Sequence, residues 1–134
     1  MKRILAVLLG LSVCAAGCAD PQAPATPTPV TPTLTETFTG QLLVLGSNSH
    51  TFTVQQIGGL RVTINGVTPP AAVGVAVGTP SGATCLAIQS LTAVANPTAQ
   101  ISGTATITGS FCVRVYDVGN LVEPVNYTVT VLHS

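Results

Sequence analysis

Few residues of this chain can do chemistry. Its 134 residues hold four cysteines, two histidines, four carboxylates and four Lys or Arg side chains. Charged residues make up 6% of the sequence, against roughly a quarter in ordinary soluble domains. Beyond the N-terminal region the cysteines are Cys85 and Cys112, and an even pair in an exported chain is normally a disulfide. A metal or redox pair is the competing chemistry, but there is no Cys-x-x-Cys spacing and no histidine nearby in sequence. His50 and His133 are the near-neutral bases. His50 stands at a turn-to-strand boundary and reads as a surface residue. A Ser-His-Asp arrangement drawing on Asp117 stays open, yet nothing has the pattern of a nucleophile elbow. The expectation is therefore a protein that is not an enzyme, with no cofactor.

Asp117, Asn120 and Glu123 fall together between two apolar runs, and their oxygens could contribute to a ligand or metal loop. Calcium needs six or more oxygen ligands, and turn formation accounts for Asp117 and Asn120 equally well. Arg114 is expected on the non-core face with Cys112 and Tyr116, able to pair with Glu123 or Asp117 or to stack on Tyr116.

The N-terminus has chemistry of another kind. Lys2 and Arg3 precede an apolar run, Ile4 to Val13, too short to span a bilayer alone. Ala15-Ala16-Gly17-Cys18 follows and resembles a bacterial lipobox, departing from it at Ala15, where leucine is commoner. That resemblance implies cleavage before Cys18 and acylation of its sulfur; an ordinary cleaved signal peptide is the alternative. Ala19 rather than Asp after the cysteine implies sorting to the outer membrane. Two or more acyl chains make membrane residence stable where one does not. Without residues 1–17 the chain keeps Arg61 and Arg114 against Asp20, Glu36, Asp117 and Glu123. No basic patch exists, which removes the electrostatic basis for binding nucleic acid.

Two kinds of element follow. Residues 18–34 form a Pro/Thr-rich tether with five prolines, which favour extended polyproline II at about 3.1 Å per residue over helix or sheet. Residues 35–134 alternate apolar and small polar side chains with period two, as in 50–54, 60–64, 73–77, 111–115 and 127–131. Weaker strands are expected over 35–45 and 101–108, and a strand followed by a loop over 86–95, where Leu86, Leu91 and Val94 could otherwise line a short helix. Turn signals lie at Gly46-Ser47-Asn48, Gly58-Gly59, Thr68-Pro69-Pro70, Thr79-Pro80-Ser81-Gly82, Gly109 and Gly119-Asn120. Seven or eight strands in 100 residues give an all-β fold, a small antiparallel two-sheet β-sandwich. Alternation sets Leu86, Ile88, Phe111 and Val113 inward, which turns Cys85 and Cys112 outward on strands expected to be neighbours.

The segment Ser49–Val54, the run Gly109-Ser110-Phe111-Cys112-Val113-Arg114-Val115-Tyr116 and the closing Tyr127-Thr128-Val129-Thr130-Val131 together resemble the bacterial pre-peptidase C-terminal domain. That family is a jelly-roll-like β-sandwich appended to secreted peptidases and other exported enzymes. Related collagen-binding modules hold calcium with acids in the middle of the domain. Here that strand reads Ala71 to Val77 without an acid, so the calcium role does not carry over. The resulting expectation is a non-catalytic cell-envelope lipoprotein, a binding or scaffolding module held to the membrane through a lipid anchor. It would be exported to the outer membrane or cell surface, with an envelope protein or a polysaccharide as partner. A carbohydrate-binding module and an accessory domain of an exported hydrolase are the alternatives. Few aromatics are available for a sugar platform, which favours protein contacts.

Overall fold

A computed structural model describes residues 33–94 and 99–134. The signal peptide, Cys18 and the tether lie outside those residues. The described chain is all β, eight strands and no helix: β1 (Leu34–Leu42), β2 (Ser47–Val54), β3 (Gly58–Thr68), β4 (Val73–Ser81), β5 (Thr84–Ala93), β6 (Gln100–Ala105), β7 (Gly109–Tyr116) and β8 (Val125–His133). They form two antiparallel four-stranded sheets in the orders β1-β8-β3-β6 and β2-β7-β4-β5. The pairs β1–β8, β2–β7, β3–β6 and β4–β5 are those of one long hairpin rolled upon itself, which makes the sandwich a jelly roll.

Alternation explains the core. Along β8, Val125, Tyr127, Val129, Val131 and His133 are buried, while the residues between them are not. They face Phe52, Val113 and Val115 of the other sheet in a core made mostly of aliphatic side chains. Strand β4 is buried on both faces, and its outward positions are Gly74, Ala76 and Gly78. Small residues are required there because Tyr116 lies over Gly74, where a Cβ would run into the ring.

Two bulges reset the alternation. In β3, Asn65 is the extra residue between Ile64, opposite Val129, and Gly66, opposite Thr128. One inserted residue inverts the facing of everything after it, so Val67 returns to the core. In β5, Ile88 is the extra residue between Ala87, opposite Gly78, and Gln89, opposite Val77. Without that bulge Cys85 would face the core along with Leu91 and Ala93; with it, Cys85 shares the outer face with Cys112.

The disulfide Cys85–Cys112 is present, with a Cα–Cα distance of 5.8 Å. Its strands are not neighbours, as alternation alone had suggested, because β4 pairs with both and lies between them. The tip of the β4–β5 hairpin curls over Gly78, where a Cβ would collide with the Leu86 carbonyl oxygen. Leu86 and Ile88 are 59% and 71% exposed rather than core residues. β5 is a sheet edge, and Ile88 borders a groove shared with Leu60 and Ile101 of the facing sheet.

The turns also depart in detail from the sequence reading. Gly58 and Gly59 open β3 instead of forming a turn, and the chain crosses from one sheet to the other in the turn at 43–46, with Ser47 and Asn48 already in β2. Because successive strands alternate in direction and are joined by short connections, the loops 43–46, 69–72 and 117–124 gather at one end. Thr33, where the N-terminal region enters, lies at the other.

Candidate functional site

The gathered loops form an apolar end. Leu43, Val44, Leu45, Val118 and Val122 are all solvent-facing, with Leu45 at 83% and Val122 at 92% exposure. Isolated exposed aliphatics are common on proteins; here five fall on two loops that Asp117 ties together. Beside it, Pro69, Pro70, Asn120, Leu121, Val122 and Glu123 line a shallow cleft of about 270 Å³.

One carboxylate holds this end together. Asp117 Oδ1 accepts hydrogen bonds from the backbone N–H groups of Gly119, Asn120 and Leu121 at 2.8, 3.0 and 3.2 Å. Its Oδ2 accepts from the Leu45 N–H at 2.8 Å, across 72 residues of sequence. The Asp117 N–H in turn donates to the Gly46 carbonyl at 3.0 Å. These donors favour the ionised form, the Leu45 N–H most of all, and draw the Asp117 carboxyl below its ordinary range. Leu121 is buried and roots the loop in the core, leaving Val122 raised beside it.

Leu45 itself has φ of 58°, in the left-handed region that a leucine rarely adopts. Such a conformation costs on the order of 1–2 kcal/mol and persists only where the surroundings impose it. Here the imposing contact is the Asp117 carboxylate, and the result is a large apolar side chain held out in water.

The ligand-loop residues therefore have distinct places. Asp117 spends its oxygens on backbone donors, whereas Asn120 and Glu123 line the cleft. No group of three or more His, Cys, Asp or Glu able to hold a metal occurs among the described residues. Arg114 stacks over the Tyr116 ring, 5.0 Å from its centroid, and donates from Nε to Ser47 Oγ at 3.0 Å.

Both histidines lie on the opposite flank of the sheets, between β1 and β2. His50 is half-buried rather than a surface residue. It stacks on Phe38 at 4.9 Å between ring centroids, and its Nε2 meets the Tyr127 hydroxyl at 2.7 Å. Burial lowers the His50 pKa and raises that of the Tyr127 phenol. His133 is 1% exposed, tilted against Phe52, with Nε2 2.9 Å from Glu36 Oε1 and Nδ1 3.2 Å from the Ser134 carbonyl. Neither imidazole hydrogen-bonds a Ser, Thr or Cys side chain among the described residues. What this cluster does is close the sandwich between its two edge strands.

Comparison with known proteins adds a fold relative. No family model matches the chain and no curated protein matches it, so the likeness to the pre-peptidase C-terminal domain remains one of strand pattern. Among solved structures the chain is similar to Aeromonas hydrophila PliG, a periplasmic lysozyme inhibitor of g-type lysozyme. The TM-score is 0.54 at 17% identity, covering 72% of this chain and 83% of that one. At that identity the shared property is the β-sandwich fold.

Proposed function

We propose that this protein is a non-catalytic binding module of the bacterial cell envelope, and that it grips a protein partner with the loop end that carries Leu45. The observation behind this reading is Leu45 itself: an exposed leucine held at a φ of 58° by the hydrogen bonds of Asp117, an arrangement that presents a large apolar side chain to a partner. Rigid loops also reduce the ordering cost of binding. None of the aromatic side chains is exposed, which argues for a protein surface over a sugar one. The similarity to a periplasmic inhibitor of lysozyme supports an envelope setting and a protein partner, and makes a g-type lysozyme the first partner to assay.

The N-terminal region completes the proposal. Cys18 is the lipidated residue, residues 19–34 are the spacer, and the domain enters from that spacer at the end opposite the apolar loops. The contact surface then points away from the bilayer.

Photo-crosslinkers placed at Leu45 and Val122 in the native envelope test the surface, with Ser102 on the outer face of β6 as control. A discrete protein adduct from the first two positions, lost with Leu45→Asp, is expected. Equal labelling from all three positions would refute the assignment. Addition of purified chain to a g-type lysozyme, with peptidoglycan clearance as readout, decides whether that enzyme is the partner. Loss of palmitate labelling in Cys18→Ala tests the anchor separately.

A further inference from the structure

We propose that the end of the sandwich where the N-terminal region enters is itself a membrane contact, at which Ile57 and Ile107 insert into the interface of a phospholipid bilayer. This rests on the acylation of Cys18 and adds to it a docked orientation of the domain. Two loops cross between the sheets at that end. Residues 55–57 join β2 to β3, and residues 106–108 join β6 to β7. Val54 lies opposite Gly109 and Gly58 opposite Ala105, so the two crossings run side by side in opposite directions. Each carries one large apolar side chain, Ile57 at 63% and Ile107 at 62% exposure. Leu34, where β1 begins, and Leu86, near the start of β5, are exposed at the same end.

The chemistry of this end suits lipid. The two loops read Gln-Gln-Ile and Thr-Ile-Thr, and the β4–β5 turn reads Gly-Ala, so none of them carries a charge. Amide and hydroxyl groups beside each isoleucine match the hydrated headgroup layer, and the isoleucine side chains match the acyl boundary beneath it. Arg61 lines a shallow groove at this end with Thr33 and Gly58, where its guanidinium can meet a lipid phosphate. Of the described acids, Glu36 is turned onto His133 at 2.9 Å, and Asp117 and Glu123 belong to the loop at the far end. The domain is thus cationic toward the tether and acidic away from it.

The length of the N-terminal region names the occupant. Only residues 19–32 separate Cys18 from Thr33. Fully extended they reach about 50 Å. A bilayer that holds Cys18 is therefore always within range of this end, at an effective concentration on the order of millimolar, so a weak contact suffices to dock the domain. Docked this way, the molecule presents Leu45 and Val122 away from the lipid.

The chain contains no tryptophan, so one introduced indole reports its own depth. The acylated full chain carrying Ile57→Trp, Ile107→Trp or Val122→Trp is reconstituted into vesicles of phosphatidylethanolamine and phosphatidylglycerol doped with brominated phosphatidylcholine. Emission from the first two variants should be quenched at least about twofold by the brominated lipid. Val122→Trp, at a position 92% exposed, should be unaffected and controls for the indole's own affinity for interfaces. Adding Ile57→Asp to Ile107→Trp should abolish the quenching, with circular dichroism unchanged because both positions are exposed. Equal quenching at all three positions, none at either isoleucine, or quenching indifferent to Ile57→Asp overturns the proposal. Palmitate labelling separates this result from the anchor. A chain that takes palmitate and floats with the vesicles, yet shows no quenching at Ile57 or Ile107, refutes the docked end alone. A chain that takes none refutes the anchor and the docked end together.

Discussion

Removing the Cys85–Cys112 bridge should destabilise the domain heavily but locally. The two cysteines are separated by 27 residues in sequence. Closing a loop of that size removes unfolded-state entropy worth about 3.5 kcal/mol at 25 °C in the chain-entropy model. For a domain of about 100 residues that corresponds to a melting temperature lower by roughly 15–25 °C. The Cys85→Ala/Cys112→Ala double variant, followed by far-UV circular dichroism, measures it, and reduction of the wild type should give a similar shift. Structure predicts where the loss appears first. The bridge holds the hairpin tip over Gly78, while β4 from Gly74 to Val77 stays paired with both neighbours. Amide exchange should therefore accelerate around Gly78–Ala87 well before β7 or β8. Gly78→Ala, which sets a Cβ against the Leu86 carbonyl, should reproduce that local opening with both cysteines present. A melting shift under about 5 °C, or uniform acceleration across both sheets, would refute the account of the bridge as a local clasp on the unfolded chain's freedom.

Other perturbations have definite signs. The folded-state pKa of His50 is below the ordinary 6.5, so the unfolded chain binds the proton more readily. Stability should fall as pH drops from about 6.5 to the lower folded value and level off beneath it, a dependence weakened in His50→Asn and read by urea denaturation. Asp117 is the opposite case. Its folded pKa lies below the ordinary 3.8, so its contribution is present above that pH and is lost as pH falls through the folded value. Asp117→Ala should leave the core intact, speed amide exchange at Leu45 and Gly119–Leu121, and weaken partner binding as much as Leu45→Asp does. In the core, Ile64→Ala should cost about 3–4 kcal/mol in chemical denaturation, since Ile64 is 1% exposed.

Strands were legible in the sequence wherever a single alternation ran unbroken, as in β2, β7 and β8. Bulges were not, because an extra residue such as Asn65 or Ile88 is recognised only from the partner strand's register. The disulfide pairing followed from cysteine count, yet the identity of the strand between them required the sheet order. Gly58 and Gly59 looked like a turn because glycine's freedom is the same signal in a turn and at a strand's start. The loop end was the least visible. Asp117 and Asn120 stood out as residue types, but the bond to Leu45 crosses 72 residues and the Glu36–His133 contact crosses 97. Long-range partners leave no trace in local spacing.

The order in which the strands pair has a consequence for biogenesis. β8, the last of the eight strands in chain order, is an interior strand of its sheet, lying between β1 and β3. Until it emerges, β1 has no neighbour in that sheet and β3 lacks one of its two. A chain still being synthesised therefore cannot complete the sandwich before β8 emerges, and such non-local pairing is slow. The architecture keeps the β1-β8-β3-β6 sheet incomplete, and its strands free to move, until β8 has been made.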